Sequence, residues 1–77
     1  LAASISLYPN PSDAQMKISA PQIIERIQLV NLMGQKLYES TPNAKQFIMD
    51  VSSYQPGVYF LNLTIDGQPV TKKLSVR

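Results

Sequence analysis

Apolar residues recur at every second position along most of the chain, the mark of strands with one buried and one wet face. Ile5 and Leu7 alternate with Ser4 and Ser6, Met16 and Ile18 flank Lys17, and Ile27 and Leu29 alternate with Arg26 and Gln28. Leu37 stands between Lys36 and Tyr38, and Phe47-Ile48-Met49 precedes Asp50. The longest stretch runs from Val58 to Ile65, and the last from Val70 to Val76. This spacing predicts seven short strands. The segment from Gln22 to Met33 comes nearest to a helix, but it is rich in Ile and Val and lacks a cap at either end. It reads as a loop entering a strand.

Turn residues fall between these stretches. Pro9-Asn10-Pro11-Ser12-Asp13 cannot continue a ladder, because its two prolines have no N–H to donate. Ala20-Pro21 marks a second loop, Met33-Gly34-Gln35 a short hairpin, and Pro42-Asn43 a further connection between Ser40 and Gln46. Ser52 to Gly57 makes a wider crossing loop. Asp66-Gly67 is the strongest short-range signal, since a type I′ turn needs positive φ at both central residues. Gly67 is therefore expected in the left-handed region, and Gly57 is required either for the same reason or for close packing against Tyr59.

Short strands with regular turns predict an antiparallel sandwich or barrel. On the long strand Tyr59, Leu61, Leu63 and Ile65 share one face, read as inward because the other carries Asn62 and Thr64. On the last strand Leu74 and Val76 point inward and Thr71, Lys73, Ser75 and Arg77 outward, with Lys72 at an inward position where its stem must snorkel. The predicted core is Ile5, Leu7, Ile18, Ile27, Leu29, Leu37, Ile48, Tyr59, Leu61, Leu63, Leu74 and Val76.

Composition narrows the chemistry. Seventy-seven residues make one small domain, and seven Lys+Arg against five Asp+Glu leave a formal charge of +2, far from the dense field of a nucleic-acid binder. Cysteine and histidine are both absent, which removes disulfides, thiolate metal sites, Cys nucleophiles and imidazole bases. No apolar run approaches the length of a membrane helix. The chain begins at Leu1 without Met or a charged leader and reads as a piece cut from something longer.

The remaining candidates favour structural roles. Asp13, Glu25, Glu39, Asp50 and Asp66 are dispersed, and most lie in or beside turns, where capping explains them better than paired-carboxylate catalysis. Asp13 and Asp66 with loop carbonyls do not form the dense oxygen cluster of a calcium site. Asn62-Leu63-Thr64 matches the N-glycosylation pattern but lies mid-strand. Phe60 alone on an outer face is no base-stacking platform. The residues imply no catalysis, no metal and no cofactor.

Four segments in series carry a resemblance. Leu7-Tyr8-Pro9-Asn10-Pro11 is followed by the Ile27 to Leu37 segment with its Asn31 and Gly34-Gln35. Asp50-Val51-Ser52 then leads to Pro56-Gly57-Val58-Tyr59-Phe60-Leu61, and the chain closes on Lys72-Lys73-Leu74-Ser75-Val76-Arg77. Over residues 5 to 77 this order resembles the type A C-terminal sorting domains of type IX secretion systems. Two details depart from that pattern: Arg77 stands where Lys is frequent, and Pro56 touches Gly57 directly.

The resemblance implies a non-catalytic address label at the C-terminus of a cargo protein in Bacteroidetes. The cargo would pass through the periplasm, be recognised by translocon components, cross the outer membrane and reach the cell surface or medium. A sortase-like cysteine peptidase would then remove the label. Gly57, Tyr59, Lys72, Lys73 and Arg77 are the expected recognition residues, with Pro9, Asn10, Pro11, Gly34, Asp66 and Gly67 as the structural motif. No nucleic acid and no membrane insertion are implied, and an edge strand is left for pairing two copies. The expected fold is all-β, a seven-stranded antiparallel immunoglobulin-like sandwich. The competing function is an immunoglobulin-like accessory module of an extracellular enzyme, binding carbohydrate or acting as a spacer.

Overall fold

A computed structural model describes residues 5–8 and 14–77. The motif residues Pro9, Asn10 and Pro11, with Asp13, lie outside the described residues. Six strands follow one another: β1 (Ser6–Tyr8), β2 (Gln15–Val30), β3 (Lys36–Ser40), β4 (Ala44–Asp50), β5 (Gly57–Ile65) and β6 (Gln68–Val76). Every pairing is antiparallel.

The long β2 organises the rest. Its first stretch pairs β1 and β4, with Lys17 opposite both Tyr8 and Ile48. Its second pairs β3 and β5, with Leu29 opposite both Tyr38 and Leu61. β6 then continues from β5. Side chains from both stretches meet in one core, Met16 and Ile18 from the first and Ile27 and Leu29 from the second, joined by Leu61 of β5 and Leu74 of β6. The sheet therefore curls until its two ends face each other.

Among the described residues there are six strands rather than seven, because the predicted strands around Met16–Ile18 and Ile27–Leu29 are one element. Ala20-Pro21 is not a loop but part of β2. Its turn-like composition has a different cause. Between Ser19 and Ile24 none of the described residues pairs with β2, on the β1 and β5 side or across the register shift of β4, so Pro21 has no described acceptor to which it would have to donate. The segment 22–33 is likewise strand as far as Val30 and contains no helix.

A bulge keeps both stretches facing one core. Ile24 lies opposite Ile65 and Arg26 opposite Thr64, so Glu25 is the extra residue. Buried positions thus change parity, from Met16, Ile18 and Ile24 to Ile27 and Leu29. A second register shift overturns the expectation for Leu37. Leu29 pairs Tyr38 but Val30 pairs Lys36, so Leu37 is the unpaired residue and is 39% exposed, while Tyr38 packs on the core. Ile48 was also expected inside and is 60% exposed. Its neighbours Phe47 and Met49, opposite Ile18 and Met16, hold the inward positions. Leu7 is half-buried against the core, and the other predicted core residues are buried.

Candidate functional site

The β5–β6 hairpin carries most of the expected recognition residues. It is closed by Asp66-Gly67, whose φ values of 53° and 73° meet the requirement of a type I′ turn. The two-residue loop sets Ile65 opposite Gln68 and all later pairs in step. Gly57 opens β5 at φ 153°, and a Cβ built there would meet nothing within 4 Å. Backbone conformation, not close packing against Tyr59, is what demands glycine. Gly34, at φ 83°, fills the corresponding role between β2 and β3.

Tyr59 is buried, opposite Leu74. Its hydroxyl donates to the carbonyl of Gln55, and its ring lies 6.1 Å from that of Tyr54. The side chain thus ties the loop before β5 to the core and keeps only 8% of its surface exposed. Burial raises the Tyr54 phenol above its ordinary pKa, with the neighbouring Tyr38 and Asp50 adding to the shift.

The basic residues separate by face. Lys72 lies opposite buried Leu61 at an inward position and is half-buried, as its snorkelling parity requires. Lys73, opposite Phe60, is exposed on the outer face, and Arg77 is exposed beyond the end of β6. One row across the outer face reads Lys36, Val30, Phe60, Lys73, two apolar residues between two lysines.

Beside that row runs a polar one: Glu39, Gln28, Asn62, Thr71. Lys36 Nζ donates to Glu39 Oε1 at 2.7 Å, Gln28 Nε2 donates to Oε2 at 3.3 Å, and Arg26 Nε lies 3.6 Å from the same oxygen. The hydrogen bond from Lys36, then that from Gln28, hold the Glu39 carboxyl below its ordinary pKa. Asn62 Oδ1 accepts from Thr71 Oγ1 at 2.9 Å, a cross-strand role for the asparagine of the glycosylation-like triplet. Glu25, Glu39, Asp50 and Asp66 form no metal-binding group among the described residues.

Sequence reasoning missed the tip of the β2–β3 turn. Asn31 Oδ1 accepts from the backbone N–H groups of Met33 and Gln35, both at 3.0 Å, and its Nδ2 donates to Gln35 Oε1 at 2.9 Å. This Asx turn holds Leu32 and Met33 in the open, 68% and 82% exposed. Together with Leu37, Tyr54, Pro56 and Val58 they line a shallow groove at one end of the molecule. The legible signal was Asn three residues before Gly; the exposure of the tip had none.

Comparison with known proteins places this arrangement. The family model for the secretion system C-terminal sorting domain matches residues 6–77. An ulvan lyase of Nonlabens ulvanivorans is 31% identical over 70 residues, which cover 88% of this chain and 13% of the lyase. The chain therefore spans only a small part of that relative's length. Among solved structures, PorZ of Porphyromonas gingivalis, described as an essential bacterial surface component of the type-IX secretion system, superposes with a TM-score of 0.79. The superposition covers 97% of this chain and 12% of PorZ at 14% identity, a likeness of fold.

Proposed function

The chain belongs to the family of secretion system C-terminal sorting domains, the sorting signals of type IX secretion, and from that premise we propose how this member presents its address. A sorting domain is a non-catalytic tail, and type IX cargo is exported to the cell surface or the extracellular space. In our reading residues 1–77 act as one unit at the end of a larger secreted protein. They are met in the periplasm by translocon components and are removed after export by a sortase-like cysteine peptidase.

The address would be the outer face and terminal edge of the β5–β6 hairpin. The observation that carries this reading is the separation of roles along it. Gly57, Tyr59, Asp66 and Gly67 shape the hairpin, and Lys73 and Arg77 stand exposed on it. Lys72, half-buried opposite Leu61, contributes its stem to the inner face and its ammonium at the margin. The same reading takes the two ends of the curled sheet as the layers of an immunoglobulin-like sandwich, seven-stranded if β2 is counted once in each. It also includes the pairing of two copies through an edge strand.

The test places residues 1–77 behind a signal peptide and a folded reporter in a host with a type IX system. Lys73→Ala with Arg77→Ala should leave the fold intact by circular dichroism and hold the reporter in the periplasm. A folded double variant exported at full efficiency would show that these two cations are not the recognition surface. Loss of the domain's mass from exported reporter, dependent on the host peptidase, is the result expected for removal. Reporter outside the cell at its full fusion mass would count against it.

A further inference from the structure

We propose that the outer edge of β4 is the surface through which two copies of this chain associate. The phase of the β2–β4 ladder follows from one bond: Val51 N–H donates to the Ala14 carbonyl at 2.7 Å. Antiparallel pairs alternate between bonded and non-bonded, so Met16–Met49 and Ile18–Phe47 exchange hydrogen bonds across the ladder. Gln46, Ile48 and Asp50 consequently turn their backbone N–H and C=O away from β2. Among the described residues no strand receives them. The same strand carries Ile48, whose side chain is 60% exposed on the outer face.

The other strands beside open edges carry features that discourage pairing along their length, whereas β4 has them only at its start, in Lys45 and the register shift before Gln46. β1 has three residues, β3 has five and is broken by the unpaired Leu37, and β6 contains Pro69, which has no N–H, with Lys73 further on. From Gln46 to Asp50 there is no proline, no glycine and no register shift. Such an edge is a template for an added strand.

The residues on it favour a second copy as that strand. A two-fold axis through Ile48 sets Ile48 against Ile48 of the second copy and Gln46 against its Asp50, twice. Asp50 Oδ1 already accepts from Ser52 N and Oγ at 2.9 and 2.7 Å. In this register the Gln46 amide of the second copy comes opposite that carboxylate. Slipping by one residue would bring core-facing Phe47 against outward Ile48, against the pleat. Slipping the centre to Asp50 would set two carboxylates face to face, and slipping it to Gln46 would set Asp50 against Pro42. The register on Ile48 sets apolar against apolar and amide against carboxylate, and it makes an isologous, closed dimer.

The pairing rests on the edge-strand association included in the reading above and names its edge and register; it is measured without a translocon, so it and the sorting role can fail separately. Light scattering and sedimentation of the 77-residue chain between about 10 μM and about 1 mM should show a concentration-dependent dimer. The Ile48 amide should gain exchange protection with concentration, while that of Phe47, bonded to β2, does not change. Ile48→Lys, which sets like charges opposite each other on an exposed position, should weaken the dimer about tenfold or more without lowering the melting temperature. Gln46→Lys, which sets an ammonium opposite Asp50, should tighten it. A chain monomeric throughout, or a dimer indifferent to both substitutions, overturns the proposal.

Discussion

At the scale of single residues, the strongest claims concern side chains with no exposure and glycines with no alternative. Leu61 is fully buried between Leu29 and Lys72 on neighbouring strands. Leu61→Ala removes its contacts and leaves a cavity, at a cost of about 2–5 kcal/mol, which urea unfolding should read as a fall in midpoint. In so small a domain that is a large part of the total stability. Gly67 at φ 73° and Gly57 at φ 153° make a different demand. Alanine at either should cost about 1–2 kcal/mol although its Cβ meets no atom, because the strain lies in the backbone. Gly67 was legible as one half of Asp66-Gly67. For Gly57 only the backbone angle decides between conformation and packing, and no sequence carries it.

At the scale of elements, alternation was readable where a strand is long and bordered by polar residues on one face. β5 shows this, with Tyr59, Leu61, Leu63 and Ile65 inward as Asn62 and Thr64 indicate. Where the chain adds a residue, the rule of two breaks without a local sign. Glu25 and Leu37 are such additions, and each inverts the parity beyond it. Phe47-Ile48-Met49 defeats the rule for another reason, since three apolar residues in a row do not say which one turns outward. Two cross-strand devices can be tested at this scale. Glu39 links β3 to Gln28 and Arg26 of β2, and the carboxyl of Asp50 caps the turn after β4 through Ser52. Both carboxyls titrate below their ordinary values of 4.5 and 3.8, Asp50 chiefly through the hydroxyl of Ser52 and then its backbone N–H. A depressed folded pKa gives stability that is present above the unfolded value and is lost as pH falls through the folded one. The melting temperature should therefore be flat near neutrality and decline below about pH 4, and Glu39→Gln should make that decline shallower. A melting temperature that rises on acidification would contradict both assignments. Tyr59→Phe should speed amide exchange at Tyr54, whose N–H donates to Val51, while exchange in β6 stays slow.

At the scale of the whole molecule, one long strand shared by two sets of partners lets a short, cysteine-free chain enclose a core. On its surface Glu39 pairs with Lys36 and Arg26, and the chain belongs to the family of secretion system C-terminal sorting domains. The role was legible in the order of four short segments rather than in any one of them. Its first segment, around Pro9, Asn10 and Pro11, lies outside the described residues, while the other three fall on the β2–β3 turn and the β5–β6 hairpin. The exposed tip of Leu32 and Met33 and the open edge of β4 were not legible, because exposure belongs to the assembled sheet and not to the alternation that builds it. The most direct measurement is the fraction of a folded reporter found outside a host with a type IX system, with and without residues 1–77 attached. Export that requires both the attached domain and an intact translocon is the predicted result. A fusion that folds, enters the periplasm and stays there would contradict the account.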